Sequence, residues 1–268
     1  MMISWAQNLE DVMLARALAD VEQGFYVDVG AFDPRSDSVT RHFYEHGWRG
    51  INIDPLPSQI APFVRERPRD VNLAVAVAAT AGTMRFFDFS PVGLSTLDAT
   101  VAAQMRARGF ECREIEVPVT TLADVLDAHA PGTIDFLKID VEGGEHGVLA
   151  GADFARHRPR IVVVEATAPM RPDATHATWE PLLLRRGYVF AWFDGLNRFY
   201  VRREDAERLR HFRVQPNVFD DYVRGIALRE ADRAGLARLR RIPARTRRML
   251  SRTGRWIAER MRDPEAKS

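Results

Sequence analysis

Short apolar runs alternating with amphipathic segments from about residue 25 to 203 constrain this chain more than any other feature. Strands separated by helical crossovers build a parallel sheet, so the fold class is α/β. Ser4 or Asn8 is positioned to cap a first helix through Asp11, Leu14 and Leu18, which Gly24 stops before a strand over Phe25–Val29. A helix over 38–46 ends at Gly47, and residues 50–53 form a second strand finishing at Asp54-Pro55. Residues 57–67 read as the next crossover helix, and 71–77 is apolar enough for a third, buried strand. Residues 83–89 and 113–119 alternate like half-buried strands around a loop and a short helix, an inserted β-ribbon. The strand at 134–139 runs into Asp140, that at 160–164 into Glu165, and 188–193 and 198–201 form a hairpin through Asp194-Gly195.

Length and composition limit what this sheet serves. The 268 residues suit one α/β domain with extensions: a helical segment over 1–24, the domain over 25–203 with its insert at about 82–119, and a helical, Arg-rich extension over 204–268. Residues 229–268 carry 13 Lys or Arg against 5 Asp or Glu, a net +8, and the whole chain carries +1, so the first 228 residues stand at −7. An acidic body argues against nucleic acid as a partner, whereas the basic tail is the candidate for a peripheral membrane contact. The single Cys112 excludes an internal disulfide and a multi-cysteine zinc site. Residues 1–11 lack a basic stretch leading into an apolar one, and no run approaches the roughly 20 apolar residues that span a bilayer, so a cytoplasmic protein is expected.

Ligands of open α/β sheets bind beyond the carboxyl ends of the strands, which directs attention to polar residues there. In Val27-Asp28-Val29-Gly30-Ala31, Gly30 lets the backbone turn closely past a ligand, and Asp28 can orient loop amides or a ligand ammonium. Asp54, 26 residues after Asp28, is placed to accept hydrogen bonds from ribose hydroxyls. A strand-ending turn plus an Asp-Pro turn explains the same residues without a ligand, but the second acid favours an adenosine-bearing cofactor. No Gly-x-Gly-x-x-Gly follows, and Asp33 would repel a pyrophosphate, so a nicotinamide dinucleotide is disfavoured.

Taken in order, Glu10-Asp11, the 25–31 strand and turn, Gly47-Trp48-Arg49-Gly50-Ile51-Asn52-Ile53, Gly93-Leu94-Ser95-Thr96-Leu97 and Thr121-Leu122 make a pattern. It continues through Phe136-Leu137-Lys138-Ile139-Asp140-Val141-Glu142-Gly143 and Asp194-Gly195-Leu196-Asn197-Arg198-Phe199-Tyr200. This pattern resembles the FkbM-type S-adenosylmethionine-dependent methyltransferases. The resemblance implies the class I methyltransferase (Rossmann-like) mostly parallel sheet with a final antiparallel hairpin strand. It also implies O-methylation of a hydroxyl on a sugar, glycan or glycosylated natural product. The alternatives are an N- or carboxyl-directed methyltransferase and a non-catalytic nucleotide-binding module. Where many such enzymes place a polar residue beside adenine, residues 74–78 are small and apolar, so backbone groups would read the base.

Methyl transfer to a hydroxyl needs alignment and a group to take or weaken one proton. The catalytic candidates are Asp140, Glu165 and His146; the cofactor-binding candidates are Asp28, Gly30, Ala31, Asp54 and Asp140. A hard divalent ion could bridge the carboxylates of Asp140 and Glu165 and the acceptor oxygen, and the choice between base and metal stays open. Helix capping explains Asp140 and Glu142 otherwise and is preferred for Glu142, while Ser95 or Thr96 could form a lid or cap the insert helix. Asp194 and Asn197 read as turn formers.

Overall fold

A computed structural model of the chain describes residues 1–90 and 93–225. The strands, in chain order, are β1 (Met2–Ser4), β2 (Phe25–Val29), β3 (Arg49–Asp54), β4 (Val71–Ala74), β5 (Ala76–Val77), β6 (Gly82–Asp88) and β7 (Arg113–Thr120). They continue as β8 (Phe136–Ile139), β9 (Ile161–Glu165), β10 (Tyr188–Phe193), β11 (Asn197–Arg202) and β12 (Tyr222–Arg224). The α-helices are α1 (Glu10–Ala17), α2 (Arg41–Glu45), α3 (Pro57–Glu66), α4 (Ala99–Ala107), α5 (Leu122–His129), α6 (Glu145–Ala150) and α7 (Glu180–Arg185).

Strict alternation in the central strands gives the main sheet two apolar faces. Val27, Val29, Ile51, Ile53, Leu137, Ile139, Val162 and Val164 pack with Leu122, Val125, Val148 and Leu183 from α5, α6 and α7. On the other face Tyr26, Phe136, Ile161 and Val163 meet Met13, Leu14, Phe43 and Trp48. The resulting seven-stranded sheet runs β10-β11-β9-β8-β2-β3-β4. It is mixed: the pairs from β9 to β4 are parallel, whereas β11 is antiparallel to both β9 and β10. From β2 the chain crosses to β3 on one side and later returns as β8 on the other, so strand order reverses between β2 and β8. That reversal opens a crevice at the carboxyl ends of these two strands.

Residues 71–77 do not form one buried strand. Val71–Ala74 is the half-exposed edge of the main sheet, and Ala76–Val77 leaves it to pair with β7 in a three-stranded sheet, β5-β7-β6. The apolarity of the second part serves that smaller sheet, where Ala76 packs with Leu56, Phe86, Val117 and Val119. Neither Ser4 nor Asn8 caps α1. Leu9 occupies the cap position in a left-handed backbone, and Ser4 lies in β1, which pairs in parallel with β12. The helix ends at Ala17, well before Gly24. The helix expected from residue 38 begins at Arg41, because the Ser38 and Thr40 hydroxyls are committed to the buried Arg67 guanidinium at 2.8 and 2.6 Å. Arg67 also donates to the Pro34 carbonyl at 2.7 Å, which anchors the loop after β2.

Among the described residues no helix is long and apolar enough to cross a membrane. The basic tail over 229–268 and Pro91-Val92 of the insert loop lie outside the described residues.

Candidate functional site

Backbone geometry at the β2–β8 crevice leaves no freedom at its first residue. Gly30 has φ +81°, and a Cβ there would stand 1.7 Å from the Asp140 carbonyl oxygen. Only glycine accommodates both constraints. The Gly30 and Ala31 amides donate to the Ile53 carbonyl, and the Asp140 amide donates to that of Val29, so three strand ends are stitched together.

Lys138, in β8, holds the same junction through its side chain. Its ammonium lies 3.4 Å from Asp28 and 3.3 Å from Asp140, and it donates to the Gly30 carbonyl at 3.0 Å. Burial alone would lower its pKa, but the charges of Asp140 and Asp28 outweigh that and hold it above the usual lysine range. Asp28 is 1% exposed and lines neither of the two cavities at this crevice; Thr40 and Lys138 are among its partners. It therefore sits beneath the site rather than on its surface. Ala31, likewise, is buried against Ile60 and Phe63. Phe32 takes its place as the next lining residue, in a left-handed backbone at φ 55°.

The cavity above this junction is lined by Gly30, Phe32, Asp54, Lys138 and Asp140, with an apolar wall of Val75, Ala76, Val77 and Leu97. Asp54 accepts the Leu56 amide at 2.9 Å, and burial pushes its carboxyl up to about 6. A second cavity adjoins the first. It shares Gln7, Leu94, Asp140 and Glu142, and adds Glu165, Thr167, Met170 and Arg171 from the end of β9 and the loop beyond it.

The two cavities meet at Asp140 and Glu142, beside Glu165 of the second. Asp140, Glu142 and Glu165 each offer one oxygen, and these oxygens all lie within 4.8 Å of one another. Burial, reinforced by the Asp140 charge, pushes both Glu142 and Glu165 above the ordinary carboxylate range. Glu142 reaches the cluster through consecutive left-handed residues, φ 53° at Glu142 and φ 101° at Gly143. A non-glycine residue in that region costs on the order of 1–3 kcal/mol and persists only when its surroundings hold it. Here Thr96 donates to the Glu142 carbonyl at 2.8 Å, and is itself bridged to Phe87 of the insert. The α6 capping reading of Asp140 and Glu142 is overturned: Glu145 accepts the Val141 and Gly143 amides at 3.3 and 3.0 Å.

His146 is exposed on α6 and lines neither cavity, because the helix turns that position outward while burying Glu145. Capping of α4 belongs to Asp98, which accepts the Thr100 and Val101 amides at 2.6 and 3.1 Å; the Ser95 hydroxyl instead accepts the Phe89 amide at 2.9 Å. Asp194 forms its turn as expected, taking the Leu196 and Asn197 amides at 2.8 and 2.6 Å. Asn197 does more, since its amide nitrogen donates to Glu10 at 2.7 Å and fastens the N-terminal segment to the end of β11. Lys138 is the site residue that sequence reasoning missed. The signal was present, because Lys occurs only at 138 and 267 in a chain with 38 basic residues.

A family model described as the methyltransferase FkbM domain matches residues 28–190, well over half of the chain. Among solved structures, methyltransferase FkbM from Methylobacillus flagellatus KT is similar at 16% identity and a TM-score of 0.43. The alignment covers 67% of this chain and 44% of that one, so this chain spans under half of that protein's length. No curated protein matches the chain.

Proposed function

The chain belongs to the FkbM methyltransferase family, and from that premise we propose that it is an S-adenosylmethionine-dependent O-methyltransferase of the class I type, acting on a hydroxyl of a sugar, glycan or glycosylated natural product. The observation that carries this reading is the meeting of two cavities at Asp140 and Glu142. One cavity suits a cofactor and the other an acceptor, with carboxylates where the two ligands would touch.

The residues of the first cavity fit an adenosyl sulfonium with an amino-acid end. Asp54 offers a carboxylate to ribose hydroxyls, and Val75, Ala76, Val77 and Leu97 form an apolar slot for adenine, whose polar edge only backbone groups would meet. Lys138 and Asp140 present opposite charges to a carboxylate and an ammonium. The absence of a phosphate cradle after Gly30, where Phe32 rather than a second glycine follows, suits a ligand without pyrophosphate. Bound there, the cofactor supplies an electrophilic methyl on its sulfonium.

The chain's own residues then orient and deprotonate. Thr167, Met170 and Arg171 wall the acceptor cavity and hold the sugar so that its oxygen faces the methyl. Asp140, common to both cavities, would take the hydroxyl proton as the oxygen bonds to the methyl carbon and that carbon's bond to sulfur breaks, leaving a neutral thioether. The Lys138 ammonium keeps that carboxylate oriented. Transfer of labelled methyl onto a panel of glycans and glycosylated metabolites tests the reading. Label in a sugar methyl ether is expected; label only in amine or carboxyl acceptors would move the assignment to those chemistries.

A further inference from the structure

We propose that Asp140, Glu142 and Glu165 form a binding site for one hard divalent cation, placed where the acceptor oxygen would complete its coordination. The site rests on the methyltransferase reading for its purpose, whereas its existence stands on the geometry of the three side chains.

One oxygen from each carboxylate lies within 4.8 Å of the others. Metal–oxygen bonds of about 2.0–2.6 Å set opposite ligands about 4–5 Å apart, so the three oxygens already span a coordination shell. The Oε2 atoms of Glu142 and Glu165 are buried and accept no hydrogen bond. Glu165 is itself only 8% exposed. A buried carboxylate oxygen without a donor is costly, and a cation removes that cost for both glutamates together.

Protein charge does not meet this need. Lys138 divides itself between Asp28 and Asp140, and Arg171, which lines the second cavity with Glu165, pairs with Asp173. Among the described residues, neither Glu142 nor Glu165 forms an ion pair with any of them. The donors are all oxygens, with no His or Cys in the cluster, which selects magnesium, manganese or calcium over zinc or copper. The left-handed backbone at Glu142, tied by Thr96, has the effect of turning a third carboxylate toward the other two. Such an arrangement raises repulsion unless a positive charge occupies it. Because Asp140 and Glu142 line both cavities and Glu165 lines the second, a cation held by the three would touch the acceptor hydroxyl and lower its pKa.

Manganese is the probe. The full-length chain, stripped with chelator and dialysed, is titrated with Mn²⁺ alone while electron paramagnetic resonance follows the free ion. One Mn²⁺ per chain is expected, displaced by excess Mg²⁺ or Ca²⁺. Glu165→Gln is expected to weaken it at least roughly tenfold, the low end of the loss seen when even a supporting group of a metal site is removed. Glu142→Gln provides the same comparison at a less buried position, should the first variant fail to fold. At one fixed concentration Mn²⁺ should also raise the thermal midpoint of the parent chain more than that of either variant. No bound Mn²⁺ in the parent, or equal affinity in the parent and the variants, overturns the site. Calorimetry with S-adenosylmethionine in chelator separates the two ideas. Cofactor binding without Mn²⁺ binding removes the cation site alone, and Mn²⁺ binding without cofactor binding removes the methyltransferase reading and leaves the site standing.

Discussion

At the scale of single residues, Gly30 and Asp54 shape the first cavity from opposite constraints, one steric and one electrostatic. Gly30→Ala adds a methyl at 1.7 Å from the Asp140 carbonyl and forces an L side chain to φ +81°. The expected result is a loss of at least about 1–3 kcal/mol in denaturant unfolding, together with weakened cofactor binding. Asp54 titrates from 3.8 up to about 6 because burial disfavours its charge. Ribose hydroxyls donate to the ionised form, so S-adenosylmethionine affinity should fall as pH drops through about 6. Asp54→Asn should bind more weakly above that pH and lose the dependence; an unchanged pH profile in the variant would assign it to another group. Both positions were legible in the sequence, since a glycine and an acid at strand ends follow from chain order alone. Glu142 was misread. Its local pattern matched a helix cap, and only the positive φ, a tertiary matter, turns it toward Glu165.

Between elements, the junction of β2 and β8 depends on an ion pair that sequence spacing does not reveal, because Asp28 and Lys138 lie on strands 110 positions apart. The succession of the main strands along the chain was readable from alternation, but which strand-end acids face a cavity and which support it from beneath depends on pleat and partner. Asp28 supports Lys138. Lys138→Met strips a 1%-exposed carboxylate of its counter-charge, and breaking such a buried pair costs roughly 3–5 kcal/mol. Guanidinium unfolding should show that loss, and pairing the change with Asp28→Asn should recover part of it. A loss below about 1 kcal/mol would mean that water or another group already compensates Asp28. The division of residues 71–77 between two sheets was hidden for a related reason: apolar character says that a segment is covered, and not by what.

Across the whole molecule, the N-terminal segment is fastened to the far hairpin by buried acids. Glu10 accepts the Asn8 amide at 2.8 Å and the Asn197 side chain at 2.7 Å, while Asp11 accepts the Ser4 hydroxyl and the Trp5 amide, both at 2.7 Å. Burial, and then the Asp194 charge, push Glu10 from 4.5 up to about 8. The folded chain thus binds this proton more tightly than the unfolded one. Its contribution to stability is fully present below about 4.5 and is lost as pH rises to about 8. Glu10→Gln should make the fall in denaturation midpoint across that window shallower, and an unaltered slope would contradict the assignment. This lock joins an element outside the main sheet to the rim of the second cavity, where Gln7 and Leu196 both stand. The family pattern could signal that Glu10, Asp11 and Asn197 matter, but their contact across 187 positions is a property of the folded chain. The central claim is that the β2–β8 crevice holds an adenosyl sulfonium and rejects a dinucleotide. Isothermal titration calorimetry of the full chain with S-adenosylmethionine and, separately, with NAD tests it most directly: one saturable site for the first and none for the second is predicted, and binding of NAD without S-adenosylmethionine would contradict it.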